Sequence, residues 1–239
     1  MDTRVVRLSV LGGHMVNAFL LMGRRPVLVD CGTPGTADRI CDGITAAGVD
    51  PHDLEMIVVT HGHIDHFGAA AELHRRTGAP VAAHEADMPA YTAGHSNRRQ
   101  RQPIGISGHL FSLTPPPNAK TEPVAVQTVL TGEYSLKDHG IDGRIIPTPG
   151  HTAGSVSVLL DQGDLIAGDM ISGGFVGLLR YRPSHPPFHD DPDQAVDSVR
   201  EVLTMRPHTF HIGHGGPMAA DGVRDWLDHQ LRTKASARR

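Results

Sequence analysis

The sequence predicts an α/β protein built as an αββα four-layer sandwich, two central mixed β-sheets face to face with helices outside. Three observations carry this. A meander of apolar strands followed by helical segments opens the chain, and the same layout recurs in its second half. No linker-like stretch separates the halves, so residues 1–232 read as a single domain and 233–239 as a basic tail. The 239 residues are 39% hydrophobic, enough for a core, and aromatics are only 4%, so that core must be mainly Val, Ile, Leu and Ala.

Val5–Leu11 and Val16–Met22 read as strands joined by Gly12-Gly13-His14, and a tight turn at Gly23-Arg24-Arg25 leads into a third strand, Pro26–Asp30. Thr36–Ala47 reads as a helix with Thr36 as N-cap and Gly48 just past its end. The apolar run Met56–Val59 is a short buried strand, and Phe67–Arg76 a helix. Gly78-Ala79-Pro80 turns into the strand Val81–Ala83, and His84-Glu85-Ala86-Asp87 starts a short helix, with His84 a strand-end surface residue. The stretch 91–123, with its basic run Asn97–Gln102 and prolines 115–117, has no regular pattern except a helical one around Ile106–Leu113. An irregular segment this long is usually functional or mobile, and it reads as a lid insertion or a surface excursion. In the second half, Val124–Leu130 and Gly143–Ile146 give strands, Ser155–Leu160 and Asp164–Ala167 a hairpin around Gln162-Gly163, and Ile171–Asp191 a second variable region. Pro192–Met205 reads as a helix, His208–Ile212 as a strand and Ala219–Arg232 as a closing helix before a frayed tail.

The chemistry concentrates in Thr60-His61-Gly62-His63-Ile64-Asp65-His66, where four metal-capable side chains follow a buried strand. His61 and His63 can converge on one ion, while Asp65 and His66 can reach a second. Imidazoles with a carboxylate suit zinc, and also iron or manganese. A lone loop histidine is usually just solvated; this density at a strand-to-helix turn points to metal. The pattern His-x-His-x-Asp-His resembles the signature of the metallo-β-lactamase-fold hydrolases. Gly150-His151, Gly168-Asp169 and Gly213-His214, each after an apolar run, match the family's later ligands, and the resemblance runs from Val16 to Gly216.

That resemblance implies the family's fold and two Zn2+ ions per chain, with Fe or Mn as alternatives. By it, His61, His63 and His151 hold one ion, Asp65, His66 and His214 the other, and Asp169 bridges, so Asp65 and Asp169 are the catalytic carboxylates. It also implies a hydrolase whose metal-bridging hydroxide attacks an ester, lactone or thioester. The Val-Asp-Cys-Gly run puts Asp30 near the family's metal site. There it is a candidate to accept the second ring N–H of a ligating histidine, with turn capping as the alternative. Cys31 reads as a core or turn thiol. His14, in a loop expected at the pocket rim, and Arg180, Tyr181 and Arg182, in the loop after Asp169, are candidate substrate contacts. Arginine suits an anionic group, and Tyr181 a developing oxyanion.

Departures from several subfamilies narrow the reading. True β-lactamases generally lack the bridging Asp and are exported. Flavodiiron proteins have Glu where His63 stands. Acyl-homoserine lactonases often have Tyr where Ser172 stands, although Tyr181 can substitute, and no glutathione-binding motif of the glyoxalase II type matches. A glyoxalase II/lactonase-like hydrolase leads. A persulfide-dioxygenase-like mononuclear iron enzyme is second, and a non-catalytic metal-bearing sensor or partner-binding protein third. A formal charge of -4 gives no reason to expect nucleic acid, so a small-molecule substrate is the expected partner. No apolar stretch approaches the ~20 residues of a membrane span. No signal peptide is evident, and Cys31 and Cys41 form no disulfide framework, so a cytoplasmic location is expected.

Overall fold

At the edge of the first sheet, β1 (Arg4–Leu11) buries only Leu8 and Val10, whereas β2 (Val16–Met22), β3 (Pro26–Val29), β4 (Met56–Val58) and β5 (Val81–His84) read as near-continuous apolar runs because most of their residues are covered on both faces. Alternate residues divide between two cores. Leu20, Leu28, Ile57 and Val81 pack under helices α1 (Ala37–Ala46) and α3 (Ala70–Thr77), whereas Phe19, Leu21, Val27, Val29 and Val58 face the second sheet. The structure, a computed structural model, describes residues 2–96, 102–113, 119–175 and 177–237.

Between β4 and α3 lies the single turn α2 (Ile64–Phe67), and after β5 comes α4 (Met88–Ala93). The predicted helix Phe67–Arg76 is therefore broken at Gly68-Ala69. Pro34 and the Ile64 carbonyl approach Gly68 so closely that a Cβ there would sit 2.5 and 2.3 Å from them, and Gly68 N donates to Gly32 O instead of continuing the helix. The lid candidate contributes β6 (Gln102–Pro103) and α5 (Gly105–Ser112), close to the predicted helix; 97–101 and 114–118, most of its basic run and its prolines, lie outside the described residues.

Only β7 (Thr128–Leu130) forms from the predicted strand Val124–Leu130, and it does not open the second half. It pairs parallel with β5, closing the first sheet in the order β1-β2-β3-β4-β5-β7. The second sheet begins with a short strand that sequence periodicity misses, β8 (Tyr134–Ser135). It continues with β9 (Gly143–Pro147), β10 (Val156–Leu160) and β11 (Asp164–Ile166). The region Ile171–Asp191 is a hairpin, β12 (Ser172–Gly174) with β13 (Leu179–Ser184), then β14 (Phe188–His189). After α6 (Pro192–Thr204), β15 (Thr209–His211) lies parallel to β11 and antiparallel to β16 (Met218–Ala219), giving the order β16-β15-β11-β10-β9-β8. The last helix, α7 (Ala220–Ala237), continues into the segment read as tail, because Arg232-Thr233-Lys234-Ala235 is compatible with helix.

Three apolar layers result. One lies between the sheets, one under α1, α3 and α4, and one under α6 and α7 around Val199, Val202, Phe210 and Val223. This is the expected four-layer sandwich of mixed sheets. β6 pairs with β14, Pro103 opposite Phe188 and Gln102 opposite His189, so the two variable regions are strapped together. Among the described residues no helix is long and apolar enough to cross a membrane.

Candidate metal centre

β3 with β4, and β11 with β15, run in parallel pairs, so the loops leaving their C-terminal ends gather at one rim. Asp30 follows β3, the His61–His66 turn follows β4, Asp169 follows β11 and His214 follows β15. His151 reaches the same rim from the β9–β10 connection. All seven predicted ligand positions thus converge. Among the described residues three sets have ligand atoms within 4.8 Å of one another: His61, His63 and His151; His61, His66 and Asp169; and Asp65, His66 and His214.

Four of the rings, those of His61, His66, His151 and His214, are held through one nitrogen by a partner outside the cluster. Asp30, fully buried, accepts from Thr60 N at 2.8 Å and from the Thr60 hydroxyl at 2.9 Å. It also accepts the His66 Nδ1–H at 2.8 Å, the contact that one of its two sequence readings called for. The Thr60 hydroxyl proton is engaged by Asp30, so Thr60 accepts from His61 Nδ1, 3.0 Å away. His214 Nδ1–H donates to Met15 O, and Asn17 secures that loop by donating from Nδ2 to Ile212 O at 2.9 Å and Gly215 O at 3.0 Å. His151 Nε2 stands 2.9 Å from His63 Nδ1. Its Nδ1 faces His189 Nδ1 at 3.3 Å, and Phe188 stacks on its ring. Such partners fix tautomer and ring orientation.

Asp169 lies among the histidines. Its Oδ2 is 3.0 Å from His214 Nε2 and 3.6 Å from His151 Nε2, and its Oδ1 is 3.4 Å from His66 Nε2. Gly213 permits this, since a Cβ there would lie 2.3 Å from Asp169 Oδ1. Asp65 Oδ2 is 3.3 Å from His214 Nε2, and its side chain is the most open of the seven, 33% exposed. Buried His61 Nε2, His66 Nε2 and Asp169 Oδ1 make no hydrogen bond. Unpartnered polar atoms are costly in an interior, and divalent metal is the ligand that this set of nitrogens and carboxylate oxygens fits.

Two side chains that sequence reasoning passed over complete the support. Asp87 accepts from Gly62 N at 2.6 Å, the Thr152 hydroxyl at 2.6 Å and Gly154 N at 3.1 Å, pinning two ligand loops to each other. Burial raises its pKa and those hydrogen bonds oppose the rise. His189 is the other; burial, then His151 and His185, hold its pKa down to about 2, so it stays neutral beside its ligand. Neither stands in a motif, and no local signal marks them. Cys31 is a buried core thiol, as expected. Of the substrate candidates, Arg180 Nη1 meets His14 Nε2 at 2.6 Å and its guanidinium lies over the Tyr181 ring, while Arg182 is exposed further along β13.

Comparison with known proteins agrees with this arrangement. The sequence profile of the Metallo-beta-lactamase superfamily matches residues 11–214. The chain belongs to that superfamily. Among its relatives are the probable metallo-hydrolase YflN of Bacillus subtilis, 29% identical over 84% of this chain and 79% of the relative, and YobT of the same organism, 30% identical over 84% and 83%. A solved structure, TTHA1623 in a di-iron-bound form, superposes with a TM-score of 0.64 at 25% identity, covering 91% of this chain and 96% of that one. The B3 metallo-beta-lactamase BLEG-1 superposes at 0.67 with 21% identity over 93% and 97%, a likeness of fold. This is therefore a metallo-hydrolase superfamily chain carrying His/Asp groups suited to divalent metal.

In the metal-free protein, burial would lower the pKa of His214, but Asp169 and Asp65 outweigh it and push it up to about 10. His66 is likewise raised against burial, by Asp169 and Asp30. Burial would raise Asp169, yet His214 and His66 hold it well below the carboxylate range. The signs follow. The charge on His214 stabilises the fold fully below its unfolded pKa of about 6.5, and that contribution is lost as pH rises toward 10. The Asp169 contribution is present above about pH 4 and is lost on acidification. Ligating nitrogens must be neutral, so metal uptake at pH 7 is expected to release protons from His66 and His214. Calorimetry of zinc binding in buffers of different ionisation enthalpy measures this; uptake without proton release at pH 7 contradicts it.

Proposed function

We propose that the chain is a dinuclear metal-dependent hydrolase acting on an ester, lactone or thioester, with zinc as the leading metal and iron or manganese as alternatives. The observation that supports this most is the position of Asp169, whose two oxygens face His66, His151 and His214, members of both expected ligand sets. His61, His63 and His151 would hold one ion, Asp65, His66 and His214 the other, with Asp169 shared. Divalent metal there supplies an activated water near neutral pH and polarisation of the scissile carbonyl. The protein's own share is orientation and proton handling. Asp30, Thr60, His189 and the Met15 carbonyl hold the ligating rings in one tautomer. Asp65, at the open side, is the carboxylate placed to take a proton from the attacking water and pass it to the leaving group.

The test is elemental analysis of protein purified without added metal, with a panel of esters, lactones and thioesters. Two ions per chain are expected, with hydrolysis abolished by a chelator and restored by zinc. One tightly bound iron, with oxygen uptake on persulfides, would instead establish a mononuclear dioxygenase. Full metal loading without turnover on any of the panel would favour a sensor.

A further inference from the structure

Arg7, His14 and Arg180 form a cationic cluster beside the loop that carries His214, built from three separate stretches of chain. Arg7 Nη1 donates to Gly13 O at 2.5 Å and to Asn17 Oδ1 at 3.0 Å, and Arg180 Nη1 donates to His14 Nε2 at 2.6 Å. Neither arginine has a carboxylate partner among the described residues. Burial, and after it the charge of Arg180, lowers the pKa of Arg7. His14 is kept neutral by burial and by both arginines, which matches its role as acceptor from Arg180. A pair of like charges with no counter-ion contributes nothing to stability by itself. The turn contacts explain Arg7, but nothing structural explains why an exposed Arg180 is aimed at His14 in a chain of net charge -4.

The backbone ties this cluster to the metal centre. Gly215 N donates to His14 O at 2.8 Å, Gly216 N to Arg180 O at 2.8 Å, and Gly173 N to His214 O at 2.7 Å. Gly177, in the β12–β13 turn, lies so close that a Cβ there would sit 2.9 Å from His14 O and 3.1 Å from the His214 carbonyl carbon. The Arg180 guanidinium carbon lies 4.3 Å above the Tyr181 ring centre. Stacking holds the guanidinium plane, and the N–H groups of Arg180 not given to His14 remain for donation to an anion.

We propose that Arg7 and Arg180, with His14 orienting Arg180 and Tyr181 as its platform, form an anion subsite at the His214 rim that takes the carboxylate or phosphate of an anionic substrate. Resting on the hydrolase reading, this narrows the substrate class to esters, lactones or thioesters carrying a negatively charged arm. Arg182, the sequence's other candidate for this role, makes none of the contacts described for Arg180. The same chemistry also fits a free inorganic anion, and the two sources separate experimentally.

Two measurements test it. The first uses metal-loaded enzyme and two esters with the same acyl and leaving groups, one ending in a carboxylate and one in its methyl ester. In Arg180→Ala the ratio of kcat/KM for the anionic over the neutral ester should fall about tenfold or more, mostly through KM, with Arg180→Lys recovering part of it. The second titrates inorganic phosphate into chelator-treated protein, an arm that needs no turnover and so reads the site even if the hydrolase assignment fails. Arg180→Ala and Arg7→Lys should each weaken phosphate binding severalfold, while the midpoint of thermal unfolding of Arg180→Ala stays at the parental value. Phosphate affinity unchanged in both variants overturns the subsite. Phosphate binding lost with an unchanged ester ratio overturns its assignment to substrate and makes it a site for a free anion only.

Discussion

Asp169→Ala is expected to keep its fold, bind the second metal much more weakly and lose turnover by about 10²-fold or more, the scale of losing a main electrostatic contributor. The residue sits in a loop after β11 and supplies a side-chain tip rather than packing volume. Its removal leaves His66 and His214 in buried surroundings with one carboxylate fewer, and they can answer by giving up protons rather than by unfolding. The metals have no such remedy. On the dinuclear reading two dications held close together would repel, and Asp169, shared between the proposed ligand sets, would supply the charge that offsets this. Asp169→Asn should be nearly as damaged, because the amide keeps the shape without the charge. Metal content and kcat of both variants beside the parent decide it; two metals and near-parental turnover in either would show that Asp169 does not bridge.

Asp30→Ala should be the most destabilising single change near the centre, by about 3–5 kcal/mol, the cost of removing one partner from a buried charged network. It strands Thr60 N, the Thr60 hydroxyl and His66 Nδ1 together. It also puts alanine at φ 63°, a left-handed conformation that a Cβ disfavours. Asp30→Asn separates the two effects. Asparagine tolerates this backbone conformation and can still accept from Thr60, but it does not restore the charged acceptor for His66. That variant should unfold close to the parent yet bind metal about 10–100-fold more weakly. Urea unfolding and zinc titration of both variants give the answer; equal metal affinity in Asp30→Asn and parent would reduce Asp30 to a turn-capping residue.

That the seven candidate positions converge was legible because each follows an apolar run, and, His151 apart, parallel strands deliver them to one rim. A motif of residue types and a pattern of burial therefore carry the same information. Asp30 was half-legible: its position pointed to the centre, and only the structure shows that its oxygens reach Thr60 and His66. Asp87 and His189 were not legible, since their partners lie 65 and 38 residues away and an isolated Asp or His carries no sign of one. The sheet membership of β7 was hidden for a similar reason. Three residues are enough to form a strand but too few to say which edge it joins. The break at Gly68 depends on Pro34 arriving from another loop, a tertiary fact without a local trace.

The pairing of β6 with β14 bears on how a hydrolase on this scaffold would change its substrate. Gln102–Pro103 and Phe188–His189 share a ladder, Ile104 N donates to Pro187 O at 2.9 Å, and Phe188 and His189 both touch His151. Neither variable region can be exchanged for a relative's alone without unpairing the other and loosening a metal ligand. Substrate range in this lineage should therefore shift by joint replacement of the two regions, and a chimera that transplants both should keep its metal where a single graft loses it.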